Sequence, residues 1–225
     1  MNPESLIFDV DGTLWDSVDL VVRGWNLALE EAGREPTCTP EGIRPLFGKT
    51  MDEIALAFLP DQGPEERRRL MNSCMAWEDR VMQDDPCEIF YPQVRQTLEA
   101  LSRPLLQKPR APEPSLEALP RRHRLFIVSN CQKGYIELLL EKGKLGGLIR
   151  DHACFGETGL CKGETIRLVM ERNRITSAAY VGDTQGDLEA ARLAGIPFVW
   201  AAYGFGNPEA WEARLEAFCQ LTELF

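Results

Sequence analysis

The chain has 225 residues, enough to bury the core of one ordinary domain together with a smaller one. Its 35 acidic residues outnumber its 25 basic residues, giving a formal net charge of −10 at pH 7. This charge balance leaves no large basic surface to offset the phosphates of a nucleic acid. We therefore expect a small-molecule substrate and no nucleic-acid partner.

The seven cysteines are odd in number, scattered, and without any C-x-x-C pair. This usage predicts reduced thiols of a cytoplasmic protein, in preference to a disulfide framework or a structural zinc site. The sequence begins without the basic and then apolar segments of a signal peptide, and no run of about eighteen apolar residues occurs. We expect a protein that is neither exported nor bound to a membrane.

The first predicted strand, residues 6–9, ends in the stretch Asp9-Val10-Asp11-Gly12-Thr13-Leu14. The strand is apolar without alternation, which is typical of a parallel strand buried on both faces. Two carboxylates at the end of such a strand are costly to bury unless each has a partner or a metal. Gly12 lets the backbone turn away sharply, so Asp9 and Asp11 are predicted to face a cleft.

The next segment, residues 16–85, carries only helical patterns. Gly33 is predicted to end its first helix, Pro40 to begin a second, and Thr50-Met51-Asp52-Glu53 has the form of a capping box. We predict an all-helical cap domain over 16–85, inserted after the first strand. Residues 1–15 and 86–225 are predicted to form the core domain.

The rest of the chain returns to alternating strands and helices after a proline-rich stretch at 104–120, which we predict to be an exposed excursion. Alternation of this kind predicts an α/β fold with a Rossmann-like parallel sheet and right-handed crossovers. The final helix is predicted to begin at Pro208. The predicted strands are 125–129, 152–155, 178–182 and 196–200.

Polar side chains follow several of these strands. Ser129 and Asn130 follow the second strand, Asp183 and Asp187 follow the strand at 178–182, and Lys162 precedes the helix leading into it. Ligands of parallel sheets bind beyond the carboxyl ends of the strands. Together with Asp9 and Asp11, these residue types predict a hard cation with oxygen ligands beside an anion held by an ammonium group. The pattern indicates a magnesium and phosphate site.

The order D-x-D-G-T, strand-end Ser-Asn, Lys and G-D-x-x-x-D resembles the haloacid dehalogenase superfamily. It is most similar to the phosphoglycolate-phosphatase-like group with a helical cap. The resemblance covers nearly the whole chain and implies hydrolysis of a small phosphate monoester. It implies that Asp9 is the nucleophile, forming an aspartyl phosphate, and that Asp11 is the general acid and then the general base.

The resemblance also implies the binding residues. Ser129 and Lys162 would hold the phosphoryl oxygens, with the amide of Asn130 nearby. The implied ligands of Mg²⁺ are Asp9, the backbone carbonyl of Asp11, Asp183 and, directly or through water, Asp187. The third motif departs from the group's frequent Lys-Pro, because Gly163 follows Lys162 here.

Other activities remain as alternatives. A phosphomutase of the β-phosphoglucomutase kind shares the cap and both aspartates, but the stretch 202–206 resembles the phosphatase group and favours hydrolysis. A dehalogenase is disfavoured, since dehalogenases of this superfamily lack an acid at the position of Asp11. A non-catalytic binding protein on the same fold is a further alternative.

Gly48-Lys49-Thr50 ends like a phosphate-binding P-loop. That motif needs glycine where Ile43 stands and a preceding strand where this chain is predicted helical, so we reject it. On a cap loop, Lys49 is a candidate to bind an anion of the substrate, although a solvated lysine explains it equally well. Neither the ester nor the oligomeric state is indicated by the sequence.

Overall fold

A computed structural model of the chain describes residues 3–85, 89–103 and 123–225. The predicted proline-rich excursion at 104–120 lies outside these ranges. The strands are β1 Ser5–Phe8, β2 Arg124–Ser129, β3 Ile149–Cys154, β4 Ala178–Gly182, β5 Phe198–Ala201 and β6 Ala213–Leu215. The helices are α1 Val18–Glu31, α2 Pro40–Ile43, α3 Met51–Phe58, α4 Pro64–Asp84, α5 Val94–Ser102, α6 Tyr135–Lys142, α7 Phe155–Thr158, α8 Lys162–Arg172, α9 Gln185–Ala194 and α10 Leu221–Leu224.

The six strands form one sheet in the order β3-β2-β1-β4-β5-β6, and every neighbouring pair is parallel. The predicted Rossmann-like parallel sheet is confirmed. Phe8 at the end of β1 lies in register with Ile127 of β2 and Val181 of β4. The residues that follow these three strands therefore meet at one edge of the sheet.

The central strand β1 is buried on both faces, as its apolar sequence predicts. Leu6 and Phe8 belong to a large apolar cluster that includes residues of α1, α5 and α6, while Ile7 packs with residues of α8 and α9 on the opposite face. Successive side chains of a strand point to opposite faces, so one short apolar run anchors helices on both sides. The site at the end of β1 consequently has a rigid base.

Residues 16–85 form helices and the turns that join them, and they contain no strand. α1 and α4 pack along each other, and Gly33, with φ of +70°, follows the end of α1 as predicted. The predicted capping box of α3 is also present, because Thr50 N donates to Glu53 Oε2 over 2.8 Å and Glu53 N donates to Thr50 Oγ1 over 3.4 Å. These helices lie over the edge of the sheet where β1 and β2 end.

The predicted final helix beginning at Pro208 is wrong. Residues Ala213–Leu215 instead form β6 on the open edge of β5, and helical turns begin only at Phe218. Ala202 N donates to Leu215 O over 2.9 Å, and Phe198 N donates to the carboxylate of Glu212 over 2.7 Å. Pairing with an exposed strand edge outweighs the local helix propensity of the Ala, Glu, Arg and Leu residues in this segment.

The six cysteines among the residues that the structure describes are all free thiols, as predicted. Across residues 3–85, 89–103 and 123–225, no helix combines the length and apolar character needed to cross a membrane.

Candidate active site

Three carboxylates meet where β1 and β4 end. Asp9 follows β1, Asp183 follows β4, and Asp187 lies in the first turn of α9. One oxygen of each lies within 4.8 Å of the others, and their side chains are buried, with Asp9 2% exposed and both others 0%. The register of β1 with β4 explains why residues so far apart in sequence converge here.

Lys162, the first residue of α8, supplies an ammonium group to this cluster. Its Nζ donates to Asp187 Oδ1 over 2.6 Å and lies 3.0 Å from Asp9 Oδ1. Burial alone would lower the pKa of Lys162, but the charges of Asp187 and Asp9 outweigh it and raise the pKa above its ordinary value. Lys162 is therefore a permanent cation, and one positive charge cannot balance three carboxylates.

The pKa values of the acids reflect this excess of negative charge. Burial, then repulsion from Asp187, raises the pKa of Asp9 to about 7, although Lys162 opposes the shift. Burial, with repulsion from Asp187 and Asp9, raises the pKa of Asp183 well above its usual range. Asp9 Oδ1 is buried, and its close charged partner among the described residues is the ammonium of Lys162, 3.0 Å away. An oxygen-rich, over-acidic cluster of this kind fits a bound metal ion.

Asp187 uses both of its oxygens within the protein. Oδ1 accepts from Lys162, and Oδ2 accepts from the backbone N–H groups of Asp183 and Thr184 over 3.1 and 2.9 Å and from Thr184 Oγ1 over 2.7 Å. These bonds fix the turn after β4 and orient the ammonium of Lys162. They favour a positioning role for Asp187 over direct ligation of a metal.

Two glycines allow the backbone to approach Asp183 closely. Gly12 has φ of +79°, and a Cβ atom built on it would collide with the carboxylate of Asp183. A Cβ atom on Gly204 would lie 2.5 Å from the Cβ of Asp183. The loop containing Gly204 also places Phe205 N 2.7 Å from Asp183 Oδ2, as a hydrogen-bond donor. This loop therefore orients Asp183, a role that the sequence did not reveal.

Asp11 points away from the carboxylate cluster. Its Oδ1 accepts three hydrogen bonds, from Trp15 Nε1 over 2.9 Å, Ser17 Oγ over 2.5 Å and Tyr135 OH over 2.8 Å. Burial raises the pKa of Asp11, and these three bonds oppose the rise. Because Oδ1 is used by three donors, a proton on this carboxyl group belongs on Oδ2. No sequence pattern marks these donors, of which Tyr135 lies 124 residues from Asp11 along the chain.

Ser129 and Asn130 follow β2 beside the acids. Ser129 is buried at the strand end, and Asn130 Nδ2 donates to the carbonyl of Gly48 over 2.8 Å. That bond links the core to the helical segment. It uses one of the two N–H bonds of the amide group that the resemblance places near the phosphoryl group, and Asn130 Oδ1 accepts no hydrogen bond from the described residues.

A cavity of about 50 Å³ lies between the strand ends and the helices. One water needs about 15 Å³ on this measure, so the cavity holds only a few groups of the size of a water molecule. A small ligand is therefore favoured. The exposed Lys49 lies on the rim, between this cavity and an outer cleft that is lined by Lys162. The polar residues around the inner cavity are Asp9, Asp11, Lys49, Glu78, Ser129, Asn130, Gln132 and Tyr135.

Glu78 of α4 is a further feature of the site that the sequence does not reveal. It is 5% exposed and accepts hydrogen bonds from Trp25 Nε1 over 2.7 Å and Gln132 Nε2 over 3.2 Å. Burial raises its pKa to about 8, against the opposing effect of these two bonds. No local sequence pattern marks Glu78, because it lies on a mixed polar helix and its environment comes from α1 and the loop after β2.

A buried aspartate, a lysine and further carboxylates at the carboxyl edge of a parallel sheet form the candidate active site of an α/β enzyme. The haloacid dehalogenase-like hydrolase family matches residues 4–195. The chain belongs to this family, as the four motifs predict.

Curated relatives support the same assignment. The chain is 29% identical over 223 residues to a phosphoglycolate phosphatase of Xylella fastidiosa, covering 94% of this chain and 87% of the relative. It is 25% identical over 220 residues to a phosphoglycolate phosphatase of Pseudomonas putida, covering 94% of this chain and 74% of the relative.

Solved structures share the fold. A haloacid dehalogenase-like family hydrolase from Streptococcus pneumoniae superposes with a TM-score of 0.78 at 16% identity, covering 100% of this chain and 99% of the other. A structure described as a predicted phosphoglycolate phosphatase from Haemophilus somnus gives a TM-score of 0.79 at 19% identity, covering 100% and 98%. At these identities the likeness concerns the fold alone.

Proposed function

We propose that the protein is a magnesium-dependent phosphatase that hydrolyses a small phosphate monoester through an aspartyl phosphate on Asp9. The observation that carries this proposal is the position of the Asp9 carboxylate. It is buried 3.0 Å from the ammonium of Lys162 and lines one cavity together with Asp11 and Ser129. The phosphoglycolate phosphatases among the relatives support a phosphatase of this kind.

Asp9 attacks the phosphorus atom in the proposed first step, and the leaving oxygen departs as the aspartyl phosphate forms. Lys162 offsets the negative charge of the phosphoryl oxygens, because its pKa keeps it charged. Ser129 lines the same cavity and supplies a hydroxyl donor. Asp187 orients Lys162 through their 2.6 Å hydrogen bond.

Asp11 moves the proton. It protonates the leaving oxygen in the first step and takes a proton from the attacking water in the second. Its raised pKa allows the carboxyl group to hold a proton before the first step. Trp15, Ser17 and Tyr135 hold Oδ1, so the free Oδ2 is the atom that exchanges the proton.

The proposed ligands of Mg²⁺ are Asp9, Asp183 and the backbone carbonyl of Asp11. Asp187 is proposed to position its neighbours without binding the ion directly. The bound ion would offset repulsion between the carboxylate of Asp9 and the phosphate. The Phe205 N–H and the buried turn after β4 hold Asp183 in place for this role.

The helical segment, for which we propose the bounds 16–85, acts as a cap over the site. Asn130 joins it to the core through the carbonyl of Gly48, and the small inner cavity lies beneath it. Opening of this contact would admit the ester, and closure would exclude bulk water and select the leaving group.

A panel of phosphate esters tests the proposal directly. The purified protein is incubated with each ester and Mg²⁺, and the released phosphate is measured. We expect release from at least one small ester and none after chelation of the metal. Folded, metal-loaded protein that releases no phosphate would contradict the proposal, whereas interconversion of sugar phosphates without release would indicate a phosphomutase.

A further inference from the structure

The cap contributes an acid to the cavity in which the leaving group of the proposed phosphatase would lie. Glu78 is buried there, and each of its oxygens accepts one hydrogen bond, from Trp25 or from Gln132. A carboxylate oxygen can accept about two. Glu78 therefore retains acceptor capacity inside the cavity that it lines.

Glu78 also lacks a cationic partner. No lysine, arginine or histidine among the described residues forms an ion pair with it, and both of its bonded partners are neutral. A buried carboxylate without a cation is costly unless a ligand supplies donors or charge. Its pKa of about 8 reflects that cost in the absence of a ligand.

A second acceptor, on a residue that lines the same cavity, is consistent with the same kind of ligand. Asn130 donates its amide N–H to Gly48, which leaves Oδ1 buried and without a donor among the described residues. Phosphate oxygens only accept hydrogen bonds when fully ionised, so they cannot satisfy this atom. A hydroxyl or ammonium group on the leaving group can.

We infer that the cavity selects leaving groups that carry hydrogen-bond donors, an ammonium or a hydroxyl group, and that Glu78 is the residue that selects them. The inference rests on the proposed phosphatase function and narrows its substrate class. A short amino alcohol or polyol phosphate fits Glu78 and Asn130. A carboxylate-bearing leaving group such as glycolate brings no donor for these acceptors, and its charge is repelled by Glu78 wherever Glu78 is ionised.

Four two-carbon phosphate esters differ in the group that the leaving group carries. They are phosphoethanolamine, ethylene glycol monophosphate, ethyl phosphate and phosphoglycolate. The measured quantity is kcat/KM for phosphate release with Mg²⁺ at about pH 9, above the pKa of Glu78, so that its carboxylate is ionised. We expect the wild-type protein to prefer the first two over phosphoglycolate by at least about tenfold, the usual effect of one charge-assisted hydrogen bond. This comparison needs no variant, so it does not depend on the folding of a mutant.

Glu78→Gln then tests the residue itself. It should lower kcat/KM for phosphoethanolamine about tenfold and leave ethyl phosphate within about twofold, since the charge is lost while the Gln132 amide can rotate to accept from the new NH₂ group. The chain offers a matched control in Glu31→Gln. Glu31 accepts a 2.7 Å hydrogen bond from Trp77 Nε1, also between α1 and α4, but it is exposed and outside the cavity. This control should leave all four rates unchanged.

The outcomes distinguish the inference from the proposed function. Hydrolysis of ethyl phosphate with no preference for donor-bearing esters, or an equal effect of Glu78→Gln on all four, overturns the inference and leaves the phosphatase intact. Faster hydrolysis of phosphoglycolate than of phosphoethanolamine overturns it as well. Hydrolysis of none of the four, nor of p-nitrophenyl phosphate, overturns both.

Discussion

The carboxylate of Asp187 accepts a 2.6 Å hydrogen bond from the ammonium of Lys162, and both groups are almost wholly buried. The other oxygen of Asp187 is used by the turn after β4. Asp187 thus connects the proposed phosphate-binding lysine to the loop that carries the proposed metal ligand Asp183. Substitutions of Asp183 and of Asp187 are therefore expected to change different kinetic quantities.

Asp183→Asn should weaken activation by Mg²⁺, raising the half-saturating concentration of the ion at least about tenfold, because it removes a charged ligand. Asp187→Asn should mainly lower kcat and raise KM for the ester, since Lys162 loses its orienting partner. Titration of activity with Mg²⁺ and with ester separates the two effects, and thermal unfolding checks that both variants fold. Equal losses of Mg²⁺ activation would instead make Asp187 a direct ligand.

Asp11→Asn should slow alkyl esters far more than p-nitrophenyl phosphate. The nitrophenolate leaves without a proton, so the first step then needs no general acid. For alkyl esters we expect a loss of about 10² to 10⁴-fold in kcat/KM. Asp19→Asn, on the exposed face of α1, is the control. A similar loss with both kinds of ester in the first turnover would remove Asp11 from leaving-group protonation.

Lys49→Ala should change the preference among esters more than the overall rate. Lys49 is exposed on the cavity rim, where its charge would attract an anionic leaving group. We expect the ratio of kcat/KM for phosphoglycolate to that for ethyl phosphate to fall by a few fold, roughly the effect of one exposed ion pair. Lys133 is an exposed lysine that follows β2, and Lys133→Ala should leave the ratio unchanged. An identical ratio in both variants would assign Lys49 to the solvated surface.

Stability should depend on pH through Glu78. Burial raises its pKa from 4.5 to about 8, with further repulsion from Asp11 and Asp79 and opposing hydrogen bonds from Trp25 and Gln132. Because the fold favours the neutral carboxyl group, the stability that Glu78 contributes is fully present below about pH 4.5. This stability is lost as the pH rises through about 8. Relative to Glu78→Gln, the wild-type free energy of unfolding should fall with pH in that window, by at most about 1.4 kcal/mol per pH unit. Denaturant unfolding of metal-free protein measures the difference. Parallel curves for the two proteins would contradict a raised pKa at Glu78.

The sequence predicted features that depend on local patterns. The apolar run before Asp9 predicted a doubly covered strand, and Thr50 with Glu53 predicted the start of a helix, because both signals lie within a few adjacent residues. The motifs likewise predicted that Asp183 and Lys162 would approach Asp9.

Features that depend on distant partners were not predictable. Tyr135 and Ser17 donate hydrogen bonds to Asp11, and Trp25 donates one to Glu78. These contacts form only because the helices pack over the edge of the sheet. The segment Ala213–Leu215 became a strand because the edge of β5 was free to pair with it. Tertiary contacts of this kind outweigh local propensity, and a single sequence does not display them.

The central claim is that Asp9 carries the phosphoryl group, and Asp9→Asn should abolish turnover while the fold is retained. The most direct measurement is on the wild-type protein, quenched during hydrolysis and reduced with borohydride, which converts an aspartyl phosphate to homoserine. Peptide mass spectrometry should then find homoserine at position 9 and nowhere else. Its absence during active phosphate release, or its appearance at another aspartate, would contradict the account.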